Sequence, residues 1–429
     1  MLKQLVFIIV LLLTISVFAF TIRRIAGFFR LTAPFPVSDW GRRIQIMLKV
    51  AIGQSRIFRF PVTGLLHALV FWGFLVITLG SIEMVIDGVS GLERSMAFTG
   101  WFYDFVMASG DIMAYVIMAS ILFFIVRRIF GAVKRFGGIE MQKKSKWDAV
   151  IALLIIFMLM VSLAGINITY VRLHPNDYEG VFPLSAIVGE RLSATVYQLH
   201  AWHEIWWWMH ILLIFAFANI LPYSKHFHVF TSVPNVFLSR LEPLGYLPNM
   251  ESVTKEVRMM MDPATAFAAA PEGEAAPVRF GVKDAEDVSW KNYLDSLACT
   301  ECGRCTSVCP ANITGKKLSP RKIFVDLRAR MKEKGPGLLK DPNFDDGKSL
   351  VRDIITAEEL WACTTCNACA QECPISINHP TLILDMRRYL VMEESAAPAA
   401  LNTMFSNIEN NGAPWQYPQD DRLKWAENL

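Results

Sequence analysis

The sequence predicts a mostly α-helical protein in two parts, five membrane-spanning helices followed by a cytoplasmic helical module that carries the cysteines. Three observations predict it. Hydrophobic residues make up 53% of the chain and charged residues only 19%, against about 45–50% and about 25% in soluble domains. The excess falls in five apolar blocks before residue 224, each near the roughly 17–25 residues that cross a hydrocarbon core as a helix. All eight cysteines lie after residue 298.

The five spans are expected at about residues 4–22, 61–86, 105–127, 149–170 and 204–223. The first has one lysine ahead of it, Arg23 and Arg24 behind it, and "VFAF" where a cleavage site needs small residues. It therefore reads as a retained helix and not a leader. Between the first two blocks, Ile22–Phe60 holds eight Arg/Lys and one acid, Asp39. Between the third and fourth, Arg127–Trp147 holds seven Arg/Lys and one acid, Glu140. The other two connections hold only Arg94, then Arg172 and Arg191. Positive loops stay in the cytoplasm, so this pattern places the N-terminus outside the inner membrane and the chain after Pro222 in the cytoplasm. Glu83 and Asp111 then fall near the outer ends, as headgroup-level acids or as a proton relay. Trp202, Trp206, Trp207 and Trp208 mark the outer boundary, where indole rings bridge tails and headgroups.

The segment "MMMDPATAFAAAPEGEAAPVRFG" reads as extended and mobile from its Ala/Pro/Glu content. The expected domains are a membrane domain over 1–235, a linker over 236–285, a cysteine module over 286–395, and a C-terminal extension over 396–429 read as a surface for a partner chain. No Walker loop, G-x-G-x-x-G turn or H-E-x-x-H helix occurs. The basic residues are taken up by topology and helix faces, which leaves no nucleic-acid surface.

Two runs hold the cysteines: "CTECGRCTSVCP" (Cys299, Cys302, Cys305, Cys309) and "CTTCNACAQECP" (Cys363, Cys366, Cys369, Cys373). Both read C-x2-C-x2-C-x3-C-P, the spacing of two-cluster bacterial ferredoxins, in which the fourth cysteine of each run ligates the other cluster. The expected first [4Fe-4S] cluster therefore takes Cys299, Cys302, Cys305 and Cys373. The second takes Cys363, Cys366, Cys369 and Cys309. Zinc sites show separated C-x2-C pairs instead, and cytoplasmic placement disfavours disulfides. Ile323, Phe324, Leu327 and Met331 recur at helical spacing after Ser319-Pro320, so helix–loop–helix is expected between the runs.

Histidine inside a bilayer is costly and calls for a role. His67 sits one to two turns into the second span, and His228 follows the end of the fifth, in the same leaflet as the cysteine module. Two histidines on different helices at matching depth can clasp a haem b, and His67 and His228 are the expected axial pair. If the fifth helix continues to His228, that residue shares a face with His210, and His203 falls near the same stripe. His379, beside Pro380, is read as structural.

The five spans, with "GLLHALVFWGF" on the second and "MHILLIFAF…LPYSKHFHVFTSVP" on the fifth, resemble the cytochrome b (gamma) subunit of respiratory nitrate reductases. That resemblance implies two b haems. His67 and His228 match the inner pair and His210 one ligand of the outer haem, but Ile77 stands where the fourth histidine is expected. A second haem is then either absent or completed by His203 or His200. The runs "CTECGRCTSVCPANITGKKLSPRKIFVDLR", "EELWACTTCNACAQECPI" and "DMRRYLVMEE…NIENNGAPWQ" resemble membrane-bound iron–sulfur oxidoreductases related to heterodisulfide reductase. These include proteins that pass electrons from electron-transfer flavoprotein to menaquinone. Many members continue into cysteine-rich domains with "CCG" signatures; this chain has no Cys-Cys pair, and such domains are expected on a partner subunit. The resemblance thus implies an electron-transfer subunit joining a cytoplasmic redox partner, two [4Fe-4S] clusters, haem b and the quinone pool. Its first reading is electron-transfer flavoprotein to menaquinone, and its alternative is quinol-linked reduction of a heterodisulfide or other sulfur compound. A redox-sensing membrane protein is the reading from a different class.

Overall fold

A computed structural model describes residues 1–131, 133–138, 143–262 and 279–427. The bundle is built from α1 (Leu2–Phe29), the short α2 (Trp40–Ile46), α3 (Pro61–Ser90), α4 (Trp101–Phe130), α5 (Lys143–Leu173), the short α6 (Pro183–Glu190) and α7 (Val196–Ile220). Five of these, α1, α3, α4, α5 and α7, are long and apolar enough to cross a membrane. α1, α3, α4 and α5 extend past their expected spans, whereas α7 starts earlier than expected, at Val196, and ends at Ile220, short of its expected end. Local signals set several ends. Pro61 opens α3 at a position where its missing N–H costs nothing. Thr195 and Gln198 form a capping box ahead of α7.

The helices pack in the order α3–α4–α5–α7, with α1 closing against α3 and α7. Leu5, Ile9, Leu12 and Leu13 of α1 face outward, as a lipid-exposed edge helix requires. The tryptophans depart from a simple boundary belt. Trp207 packs on Phe7 with ring centroids 5.6 Å apart. A Cβ on Gly165 would meet the Trp206 indole at 2.6 Å, so glycine there lets α5 and α7 approach. These two rings are packing residues at the end of the bundle.

The two acids are also explained. Asp111 is buried and accepts from the backbone N–H of Leu184 (2.8 Å) and Ser185 (3.0 Å), from the Ser185 hydroxyl (2.5 Å) and from Asn167 (3.2 Å). It caps the N-terminus of α6. Glu83 accepts from Met96 N–H (3.0 Å) and Tyr103 Oη (3.1 Å), and ties down the loop before α4. Both carboxylates clasp neighbouring backbone, a structural role that neither sequence reading included.

The fifth helix does not continue to His228. After Ile220 the chain turns through Leu221–Tyr223 and Lys225–Phe227 before α8 (His228–Phe237) begins. Pro222 removes a backbone donor, so His210 and His228 share no continuous helical face. α9 (Glu251–Met261) follows and takes up Met259–Met261; the rest of the stretch expected to be mobile lies, for residues 263–278, outside the described residues.

The C-terminal half is α10 (Trp290–Ala298), α11 (Arg304–Ser307), α12 (Pro310–Ile313), α13 (Pro320–Leu338), α14 (Ala357–Trp361), α15 (Ala368–Glu372), α16 (His379–Met392) and α17 (Ala399–Asn411). No sheet forms among the described residues; the isolated bridges are Ala33 with Ser289 and Val351 with Ile355. The helix–loop–helix expected between the cysteine runs is α13 to α14. Ile323, Phe324, Leu327 and Met331 are fully buried in its core, each worth roughly 1.5–3 kcal/mol of transfer free energy.

That core reaches further than the expected module over 286–395. Val282 and Ala285, from the expected linker, are buried in it, and so is Phe28 of α1, with Ile22, Ile25 and Phe29 packed alongside. Phe29 meets Tyr293 edge-on at 4.9 Å, and Trp290 N–H donates to Ala33 O at 2.9 Å. The first helix is therefore a shared strut, one end in the bundle and the other in the cysteine module.

Candidate electron-transfer centres

The two cysteine runs share a backbone as well as a spacing. In the first, Glu301 and Gly303 take left-handed conformations (φ 57° and 74°); in the second, Thr365 and Asn367 do the same at matching positions (φ 53° and 59°). Such turns aim backbone N–H groups at sulfur. Thr365 N–H lies 3.4 Å from Cys363 Sγ, and Ile377 N–H lies 3.4 Å from Cys373 Sγ. Only glycine fits at 303, where a Cβ would stand 2.4 Å from Arg135 O.

The fold sorts the thiols into two groups that mix the runs. Cys373 lies within electrostatic reach of Cys302 and Cys299, and Cys305 of Cys302, Cys299 and Cys373, with Cys369 of the other group the least of its thiol neighbours. Cys309 lies within reach of Cys363 and Cys366, and Cys369 of Cys363, Cys309 and Cys366. Burial pushes the Cys299 thiol up to about 11, and burial with neighbouring thiols pushes Cys369 and Cys373 up to about 12. Without a cationic centre such thiols stay protonated near neutrality, and with one they ionise together. Among the described residues no three His, Cys, Asp or Glu side chains converge as ligands of a single metal ion do. Eight free thiols in two groups of four match the donor set of two iron–sulfur cubes.

The groups differ in surroundings. The Cys299/Cys302/Cys305/Cys373 group faces the membrane bundle. Arg56 donates to Cys373 O at 3.0 Å and to Ser376 Oγ at 3.1 Å, and Arg304 donates to Arg56 O at 3.0 Å. The Arg304 guanidinium lies 4.6 Å over the ring of Phe60, the residue that precedes α3. In the other group Cys366 is exposed and Cys363 half-buried.

His67 is seven residues into α3 and half-buried; His228 and Arg304 are within its electrostatic reach. Its Nδ1 is buried without a hydrogen-bond partner. The structure thus brings His67, His228 and the first thiol group to one end of the bundle. His228 Nδ1 is held by Lys225 O at 3.2 Å, which leaves Nε2 available. His210 has the same arrangement deeper in the bundle: Nδ1 meets Leu159 O at 3.0 Å and Ser162 Oγ at 2.9 Å, while Nε2 is buried without a partner. Metal-ligating histidines are held in this way, one ring nitrogen on a backbone carbonyl and the other free. On this observation both residues fit a haem-ligating role. Ile77, where the resemblance expects histidine, packs among apolar neighbours around Ile117 and Leu159. His203 is tied to Thr169 Oγ1 at 2.9 Å, and His200 is exposed. Both line a cavity of about 340 Å³ at the bundle end away from the cysteines, with Ile77, Gly80, Glu83 and Arg94 among its walls. His379 is buried, 5.1 Å edge-on from Phe324, in a structural position.

Sequence reasoning did not single out Arg304, Lys225 or Glu301. Lys225 Nζ lies 3.3 Å from Glu301 Oε2, with both side chains buried. Arg328 pairs with the same carboxylate and donates to Cys299 O at 3.1 Å. Burial alone would raise Glu301, but Arg328 and Lys225 outweigh it and hold the carboxyl below its usual range. The available signal was an acid inside a cysteine loop, Cys-Thr-Glu-Cys, with its cationic partners far away in sequence.

Residues 298–377 match a family described as a 4Fe-4S dicluster domain. The chain is 27% identical over 418 residues to the "Probable iron-sulfur-binding oxidoreductase FadF" of Bacillus subtilis, covering 87% of this chain and 54% of that protein. It is 27% identical over 417 residues to the "EtfAB:quinone oxidoreductase" of Syntrophomonas wolfei, covering 90% and 54%. The chain is a relative of iron–sulfur oxidoreductases. It spans about half the length of these two relatives. A shorter match, 32% over 106 residues, joins 24% of the chain to 52% of one subunit from the ferredoxin/F(420)H(2)-dependent CoB-CoM heterodisulfide reductase of Methanosarcina acetivorans. No solved structure matches.

Proposed function

We propose that this chain is the membrane-anchored electron-transfer subunit of a quinone-linked oxidoreductase, with its dicluster module in the cytoplasm and its N-terminus outside. The observation that carries the reading is the placement of one thiol group against His67 and His228 while the other opens to solvent. Cys299, Cys302, Cys305 and Cys373 hold the inner [4Fe-4S] cluster; Cys363, Cys366, Cys369 and Cys309 hold the outer-facing one. Such clusters carry single electrons and supply no other chemistry here. Cys366 marks the side for a cytoplasmic partner, a CCG-type iron–sulfur subunit or electron-transfer flavoprotein. His67 and His228 clasp haem b. The cavity walled by His203 and Gly80 receives the quinone. Glu83 on that wall stands 16 residues from His67, about 24 Å of helix, so a second haem at His210 would bridge the gap.

Transfer from electron-transfer flavoprotein to menaquinone is the first reading; the name of the Syntrophomonas relative supports the flavoprotein and a quinone. The likeness to part of a heterodisulfide reductase supports the reverse direction, from quinol to a sulfur compound.

The test is the full-length chain purified from membranes. We expect about eight non-haem irons and the α-band of a b-type haem on dithionite reduction. His67→Ala should abolish one b-type haem while both cluster signals persist in electron paramagnetic resonance. Unchanged haem in that variant would refute the axial pair; irons without any haem would leave a redox sensor as the better reading.

A further inference from the structure

We infer that two cations, Lys225 and Arg304, clamp the Cys299–Cys305 loop to the two histidines at the end of the bundle and act as positioning residues that tune both adjoining redox centres. The inference rests on the cluster and haem assignments proposed above and goes beyond them.

The clamp has two arms. On one, Lys225 carries His228 on its backbone carbonyl (Nδ1 to O, 3.2 Å) while its ammonium reaches Glu301 Oε2 at 3.3 Å. The ammonium also donates to Ser145 Oγ at 2.6 Å, and that hydroxyl donates to the same carboxylate. Glu301 belongs to the cysteine loop, and Arg328 ties it onward to Cys299 O at 3.1 Å. On the other arm Arg304, from the same loop, lies over Phe60 and donates to Arg56 O. It is within electrostatic reach of Cys302 and Cys373 on one side and of His67 on the other. Each candidate haem ligand is therefore linked to the inner thiol group through one buried cation.

Burying a lysine and an arginine at a domain joint is costly unless each is paired in place, and apolar packing could have fastened the joint. What apolar packing cannot do is put fixed positive charge in a low-dielectric gap between two centres that each gain an electron. A buried cation there stabilises the reduced form of both neighbours, and a buried anion destabilises it. A purely mechanical fastener lacks that signature, since its loss loosens the joint whichever charge is removed.

The experiment is a potentiometric titration of the full-length chain, following clusters by electron paramagnetic resonance and haem by its visible spectrum. Lys225→Met and Arg304→Gln should shift the midpoints of the haem and the inner cluster to lower potential. Glu301→Gln should shift them to higher potential. The outer-facing cluster should move less in all three, and Lys225→Arg should restore the wild-type values. Shifts of one sign in all three variants, or equal shifts in both clusters, would overturn the inference. If Lys225→Met does not assemble, the opposed pair Arg304→Gln and Glu301→Gln carries the same contrast. Wild-type protein with clusters and no haem would refute the underlying assignment and the clamp with it. Wild-type haem with no opposed shifts refutes the clamp alone.

Discussion

The two cysteine runs have the same spacing and the same left-handed turns, yet they stand in different worlds. The group with Cys373 is covered by Arg56, Arg304 and the Glu301–Lys225 pair, with Cys302 half-buried. The group with Cys309 leaves Cys366 exposed. Local sequence makes two equivalent cradles; what packs on each decides how far it is open to solvent. The difference teaches that exposure is a property of the residues around a cradle and not of the cradle itself.

The sharpest way to break that comparison is to exchange the fourth cysteines. Because they cross, Cys373→Ala should remove the inner cluster although it lies in the second run, and Cys309→Ala the exposed one although it lies in the first. Each should cost about four of about eight irons, with a different magnetic resonance spectrum remaining. If Cys373→Ala spared the signal that Cys302→Ala abolishes, uncrossed ligation would replace the assignment. A second test uses exposure alone. Graded ferricyanide treatment should destroy the cluster at Cys366 several-fold faster than its partner. Equal rates would mean that the sealed group is as open as the other.

Much of this was legible in sequence, and what was not has a physical reason. The spans could be read because a long apolar run has few fates, and the cradles because thiol spacing is short-range. The far end of α1 could not be: Ile22, Ile25 and Phe28 look like more of an apolar helix, and their partners, Tyr293 and the α13 core, lie in the other half of the chain. The loop and cap contacts of Glu83 and Asp111 could not be read either, since the backbone each holds lies many residues from it. His228 does lie at the same end of the bundle as His67, but no continuous α7 carries it there: the helix ends at Ile220, just ahead of Pro222, whose missing N–H removes an intrahelical hydrogen bond. Arg304 and Lys225 had no local signature, since one is a single base in a cysteine loop already read for its thiols and the other belongs to a positive flank that topology already explains.

A third test asks how the core beneath both cradles responds to acid. Burial lowers His379 from 6.5 to about 3, so its imidazole is neutral when folded. Below about 6.5 the unfolded chain binds a proton that the folded chain does not, so this residue's contribution to stability is present above that pH. It is lost as pH falls from about 6.5 toward about 3, with a slope approaching ~1.4 kcal/mol per pH unit. His379→Leu should flatten this part of the stability profile, measured by denaturant midpoints of the module in the full chain. An unchanged slope would place the acid sensitivity elsewhere.

The smallest effect is expected at the rim of the sealed joint. Arg59 pairs with Glu372 at 2.5 Å, but the arginine side chain is 57% exposed while the carboxylate is 6% exposed. An ion pair with one end in water contributes about 0–1 kcal/mol. Glu372 also stays within electrostatic reach of Arg304 when Arg59 is gone, so it is not left as an uncompensated buried charge. Arg59→Ala should therefore lower stability by less than about 1 kcal/mol and leave the inner cluster's potential close to wild type, in contrast to Arg304→Gln a few ångströms deeper. A shift at Arg59 as large as that at Arg304 would mean that solvent reaches the gap, and the inner cradle would then be no better sealed than the outer one.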